Sequence, residues 1–156
     1  MPIPSDWGNN MFDSRLIEAI KKAEGFKLKA YKDSVGLWTI GYGHLLRDQE
    51  QDYSGYSITE EEATALLMAD LKVARTNVLA LSLTGVNGVR IGAIIELMFN
   101  MGPHRLAGFH KMWAAWHLND YATAAKELLD SKWAEQVGPA RSERIASMIE
   151  TGAYPE

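Results

Sequence analysis

The sequence predicts a mainly helical α+β fold, with a small β-hairpin lobe and a larger helical lobe joined by a long helix. Three observations predict it. Residues 26–45 have a β texture: FKLKAYKD alternates, DSVG supplies a turn, and LWTIGYG is aromatic and β-branched. The stretches on either side repeat apolar residues at three- and four-residue spacing, the mark of helices with one buried face. The 156 residues make one ordinary domain, long enough to bury a sizeable core without a metal or disulfide staple.

The elements follow in order. Residues 1–12 hold Pro2, Pro4, Gly8 and two Asn, and read as an irregular lead-in. A helix starts after Asp13 or Ser14, both good N-caps, and Leu16, Ile17, Ile20 and Ala23 share one face. Gly25 suits the position just past its end, so Glu24 lies on the last turn. After the hairpin, residues 46–58 are a polar connection. Thr59 and Glu62 form a capping box that opens a long helix to about residue 80. Val89 to Met101 is apolar on nearly all sides, so it is a buried central helix ended by Gly102-Pro103. Shorter helices are expected at 104–107, 109–118, 120–130 (capped by Asp120) and 140–151, closed by Gly152. The domain thus divides into a hairpin lobe with the first helix (14–58), an interlobe helix (59–81) and a helical lobe (82–156).

Composition removes several function classes. There are no cysteines, which excludes disulfide scaffolds, thiol nucleophiles and iron–sulfur sites. The net charge of −4 disfavours general nucleic-acid binding. Residues 48–72 carry seven acids and one base, leaving the rest of the chain mildly basic. That segment is a solvated acidic loop and helix start. His110 and His117 stand seven apart on one helix, but without a third ligand they are a weak metal signal, and no metal or cofactor is expected. No window approaches the ~18 apolar residues of a membrane span. The N-terminus has no apolar signal region, so the chain is expected to be made without a signal peptide and to stay cytoplasmic until something releases it.

Carboxylates and hydroxyls remain as candidates for chemistry. At a helix C-terminus the negative end of the dipole favours a protonated carboxyl at Glu24, the form a general acid needs. Asp33 and Thr39 flank the hairpin turn and can approach each other. A carboxylate and a hydroxyl together can hold one water, and an acid facing a held water is the arrangement of inverting glycoside hydrolysis. The same residues also fit plain roles: Asp33 a turn former, Thr39 a strand former, Glu24 a solvated helix end.

The stretch EGFKLKAYKDSVGLWTIGYGHLL, Glu24 to Leu46, resembles the catalytic segment of the phage lysozymes, glycoside hydrolase family 24. The family pattern Glu-x8-Asp-x5-Thr is met by Glu24, Asp33 and Thr39, within matching Glu-Gly, Tyr-Lys-Asp, Thr-Ile-Gly and Gly-His-Leu-Leu contexts. GYSITEEEA, NGVRIGAIIELMFNMG with LAGF, and SKWAEQ with Arg141 and Arg144 extend the likeness over roughly residues 14–154. The resemblance implies hydrolysis of the β-1,4 bond between N-acetylmuramic acid and N-acetylglucosamine in peptidoglycan. It implies Glu24 as the acid, Asp33 and Thr39 as holders of the attacking water, and Arg141 as the arginine paired with the acid. His44 and Asp70 match an ion pair assigned to stability. Leu45, Phe99, Asn100 and Lys132 match positions that contact saccharide. Trp133, within a matched segment, is expected in the core. Val35 stands where the family carries an acidic cleft residue.

Two other classes fit the same segment: a peptidoglycan- or chitin-binding module without turnover, and another glycosidase such as a chitinase or lytic transglycosylase. The intact triad counts against the first, and a transglycosylase has no need of an Asp-x5-Thr water pair. The expected partner is the peptidoglycan glycan strand, with a holin for membrane passage implied by the resemblance. A monomer is expected, with no nucleic acid.

Overall fold

The computed structural model describes residues 12–83 and 85–155. Among them lie α1 (Ser14–Glu24), β1 (Lys27–Lys32), β2 (Trp38–Gly41), β3 (His44–Leu45), α2 (Glu60–Leu79), α3 (Gly88–Ala107), α4 (His110–His117), α5 (Tyr121–Leu129), α6 (Lys132–Val137) and α7 (Pro139–Thr151). This is the mainly helical α+β class that the sequence predicts. The chain packs as two compact units, one holding Ile17–Val73 and the other the described residues before and after that span. The lead-in expected at residues 1–12 lies, apart from Phe12, outside the described residues.

In the first unit α1 stops where Gly25 takes a left-handed φ of 62°, its N–H donating to the Lys21 carbonyl at 2.9 Å. The three strands form an antiparallel sheet in the order β1-β2-β3. β1 and β2 pair Lys27 with Gly41, Tyr31 with Thr39 and Lys32 with Trp38, with an irregularity between Lys27 and Tyr31. β3 pairs His44 with Ile40 and Leu45 with Thr39. Residues 46–58 do more than connect. The chain returns to the outer side of β1, where Ala30 N–H donates to the Tyr56 carbonyl at 2.8 Å and Ile58 N–H to that of Leu28 at 2.9 Å. The β1 edge is thereby covered.

The capping box closes in both directions: Glu62 N–H donates to Thr59 Oγ1 and Thr59 N–H to Glu62 Oε1, each at 3.1 Å. Ile58 before the cap and Ala63 in the first turn are both buried, and they meet at Gly41. A Cβ on Gly41 would stand 3.2 Å from that of Ala63 and 3.6 Å from Ile58 Cδ1. The first turn of α2 therefore lies directly on the end of β2.

In the second unit α3 is buried from Gly88 through Met98 except at the half-buried Arg90. Its helix breaks at Gly102 (φ 82°, ψ 167°) before Pro103, so residues 104–107 continue it as a short separate turn. Around it, α7 packs on α3, α5 and α6, and α4 on α5. α6 has no counterpart in the sequence reading. Its six residues are too few to show a period, yet Ser131 caps it by accepting from Ala134 N–H at 3.2 Å. Trp133, on α6, is 1% exposed, in the core as expected.

The sequence also hides the electrostatics of α3. Glu96 is fully buried in the most apolar helix, and both its oxygens are used. Arg141 Nε donates to Oε2 at 3.0 Å, Arg144 Nη2 to Oε2 at 2.6 Å and Arg144 Nη1 to Oε1 at 2.8 Å. Glu96→Ala should cost on the order of 3–5 kcal/mol in urea or guanidinium unfolding, because it strands buried guanidinium charge. A loss below about 1 kcal/mol would show that the cluster does not hold α3 to α7.

Asp13, nearly buried before α1, accepts from Arg15 N at 2.8 Å and from Arg15 Nη2 at 2.8 Å. The Arg15 hydrogen bonds hold its carboxyl below the usual carboxylate range. A depressed folded value contributes stability above the unfolded value and loses it as pH falls through the folded one. Thermal scans across acidic pH should therefore show a shallower loss for Asp13→Asn than for the wild type.

Candidate active site

The three residues of the Glu-x8-Asp-x5-Thr spacing all lie in the Ile17–Val73 unit. Glu24 is the last residue of α1 and is half-buried. Its Oε2 lies against the backbone of Gly43, where a Cβ would approach to 3.1 Å. Gly43 also has a φ of 78°, so the turn between β2 and β3 needs glycine both for its backbone and for the carboxylate beside it.

Asp33 organises the hairpin turn. Its N–H donates to the Leu37 carbonyl at 2.9 Å, and its Oδ1 accepts from Val35 N–H at 3.0 Å and Leu37 N–H at 2.9 Å. Its Oδ2 carries no hydrogen bond among the described residues. Thr39 is 3% exposed and donates its Oγ1 proton to the Leu37 carbonyl at 2.9 Å. That proton is spent, so the Thr39 oxygen faces other groups as an acceptor. Side chains alternate across a strand and directly opposed residues share a face. Tyr31, opposite Thr39, and Asp33, two residues further and opposite Leu37, therefore lie with Thr39 on one face of the sheet.

Tyr31 is the member of this group that sequence reasoning missed. Burial raises its phenol pKa, and the negative charges of Glu24 and Asp33 raise it further. A tyrosine in a strand is an ordinary β-former. The Tyr-Lys-Asp context contains it without giving it a role, and only the register sets it across from Thr39.

The other expected residues divide between the units. His44 and Asp70 are in the first, joined at 2.9 Å between His44 Nδ1 and Asp70 Oδ2, which ties β3 to α2. Leu45, beside His44, is 50% exposed, and Val35 at the hairpin tip is also exposed. Phe99, Asn100, Lys132 and Arg141 are in the second unit. Phe99 is half-buried, Asn100 accepts from the Trp133 indole N–H at 2.7 Å, and Lys132 is exposed at the start of α6. Arg141 is nearly buried with its Nε on Glu96. Among the described residues no three His, Cys, Asp or Glu side chains gather where they could hold a metal ion.

The sequence model of the phage lysozyme family matches residues 21–147. The chain belongs to the phage lysozyme family. It is 33% identical to a probable T4-type lysozyme of Dictyostelium discoideum, over 89% of this chain and 95% of that protein. It is 35% identical to the endolysin of Salmonella phage P22, over 72% of this chain and 77% of that one. It is also 34% identical to the pre-baseplate central spike protein of Enterobacteria phage T4, over 96% of this chain but 29% of the spike protein. The chain is accordingly a glycoside hydrolase of the lysozyme class. The matched span contains Glu24, Asp33, Tyr31 and Thr39.

Gly43→Ala tests whether the acid is held by this backbone. A Cβ at a φ of 78° costs about 1–2 kcal/mol. The methyl also displaces the Glu24 carboxylate. Turnover should fall well beyond what the small loss in Tm explains. Unchanged turnover would show that the contact with Gly43 does not set the position of Glu24.

Proposed function

We propose that this enzyme is a muramidase acting as an endolysin, cleaving the β-1,4 bond between N-acetylmuramic acid and N-acetylglucosamine in bacterial peptidoglycan with inversion. The observation that carries the reading is the division of hydrogen bonds around Asp33 and Thr39. Thr39 Oγ1 donates its hydrogen bond to the Leu37 carbonyl, and Asp33 has committed Oδ1 to the turn while Oδ2 carries no bond among the described residues. A water donating one proton to each of Thr39 Oγ1 and Asp33 Oδ2 turns its lone pair outward. Asp33 then takes the proton as the water oxygen bonds to the anomeric carbon. On the opposite face of the sugar Glu24 gives its proton to the glycosidic oxygen, and the carbon–oxygen bond breaks toward the leaving sugar. No metal or organic cofactor enters this sequence.

In this reading Arg141 is the basic partner of the acid, and Leu45, Phe99, Asn100 and Lys132 contact the glycan strand. The segments 14–58, 59–81 and 82–156 act as one catalytic domain, as a monomer. No helix among the described residues is long and apolar enough to cross a membrane. The enzyme waits in the host cytoplasm and reaches the periplasm through a lesion made by a holin, so that lysis releases phage.

Glu24→Gln and Asp33→Asn should each lower turnover of purified peptidoglycan by several orders of magnitude while Tm stays close to wild type. Mass spectrometry should find muropeptides with reducing-end N-acetylmuramic acid, and early NMR spectra should show the α-anomer first. Anhydro products would instead make the enzyme a transglycosylase. Near-normal turnover by either variant would remove the assigned roles.

A further inference from the structure

Tyr31 opens the Tyr-Lys-Asp context that ends at Asp33, yet neither the spacing nor the resemblance gives it a role. It is directly opposite Thr39 and shares a sheet face with Asp33. Lys27 Nζ lies 4.4 Å from its ring centroid, a cation–π contact that holds the ring in place. Its hydroxyl forms no hydrogen bond among the described residues. Burial and the charges of Glu24 and Asp33 all disfavour the phenolate, so the group remains an O–H donor. A packing role accounts for the ring. It assigns nothing to the hydroxyl, which is free to meet a ligand beside Glu24 and Asp33.

We propose that the Tyr31 hydroxyl is a substrate-binding group of the reaction centre, donating a hydrogen bond to an oxygen of the acetamido sugar being cleaved. This rests on the roles proposed for Glu24, Asp33 and Thr39. A sugar lying between the proton donor and the held water must present oxygens to the sheet face between them, and Tyr31 is the neutral donor on that face. The Asp33 carboxylate there would repel a sugar oxygen's lone pairs and the Glu24 proton goes to the glycosidic oxygen, so a fixed O–H supplies what neither can.

Tyr31→Phe tests this on the intact enzyme. The variant keeps the ring and its contact with Lys27 and removes only the donor. Its kcat/KM on purified peptidoglycan should fall roughly ten- to a hundredfold, and its affinity for isolated muropeptides should fall with it. Tm should not move, and circular dichroism at the assay temperature confirms that a folded protein is being measured. Asp33→Asn is assayed in parallel to separate the two ideas. If Asp33→Asn turns over normally, the proposed mechanism falls and the role of Tyr31 falls with it. If Asp33→Asn is inactive but Tyr31→Phe matches the wild type in kcat/KM and muropeptide binding, only the assignment of Tyr31 is overturned.

Discussion

The second unit depends on one buried charge. Glu96 sits where the surrounding helix offers only apolar neighbours, and an isolated carboxylate there would be prohibitively unfavourable. Two arginines one helical turn apart on α7 meet it, and their spacing is what lets both reach. The cluster therefore fixes more than proximity. It sets which face of α7 meets α3 and at what height along it. A hydrophobic pair of the same volume would hold the helices together as well or better, but many slides and rotations would satisfy it.

A second set of polar contacts closes the same interface at the far end. Asn87 caps α3 by accepting from Arg90 N–H at 3.0 Å and donates its amide to the Gly152 carbonyl at 3.0 Å. Arg90 Nε donates to the Ile149 carbonyl at 2.7 Å and Nη2 to that of Glu150 at 2.9 Å. The last carbonyls of α7, which have no partner within their own helix, are thus satisfied by the first turn of α3. Gly152 is required twice over: its φ is 69°, and a Cβ would come within 2.6 Å of Asn87 Nδ2. Glu96 and its arginines act at the middle of the pair and Asn87 and Arg90 at the end, so the two helices have little freedom to slide.

How legible each feature is follows from how local its cause is. The end of α1 at Gly25, the capping box of α2, the Asp120 cap and the Gly102-Pro103 break are all decided within four or five residues, and all stand where the sequence places them. α6 is invisible because six residues give no period. The pairing of Tyr56 and Ile58 with β1 is invisible because polarity says nothing of where a loop runs. Glu96 reads as an exception in an apolar run, since its partners lie 45 and 48 positions away. The candidate site shows the same division. Glu24, Asp33 and Thr39 stand out through spacing and family resemblance, whereas Tyr31 needs the strand register.

The sheet that carries the candidate site also handles its cations in an unusual way for a chain of net charge −4. Lys27 and Lys32 of β1 lie over the rings of Tyr31 and Trp38, at 4.4 and 5.3 Å from their centroids, and Lys21 of α1 lies over Tyr42 at 5.6 Å. A lysine held on an aromatic face keeps its charge but is drawn away from nearby carboxylates. At a water-holding carboxylate this matters. A lysine bonded to Asp33 Oδ2 would take the place of the water that this oxygen is proposed to hold. The Asp33 carboxylate is instead met by neutral backbone N–H groups on one oxygen. The aromatic residues of this hairpin thus give Lys27 and Lys32 partners other than the Asp33 carboxylate.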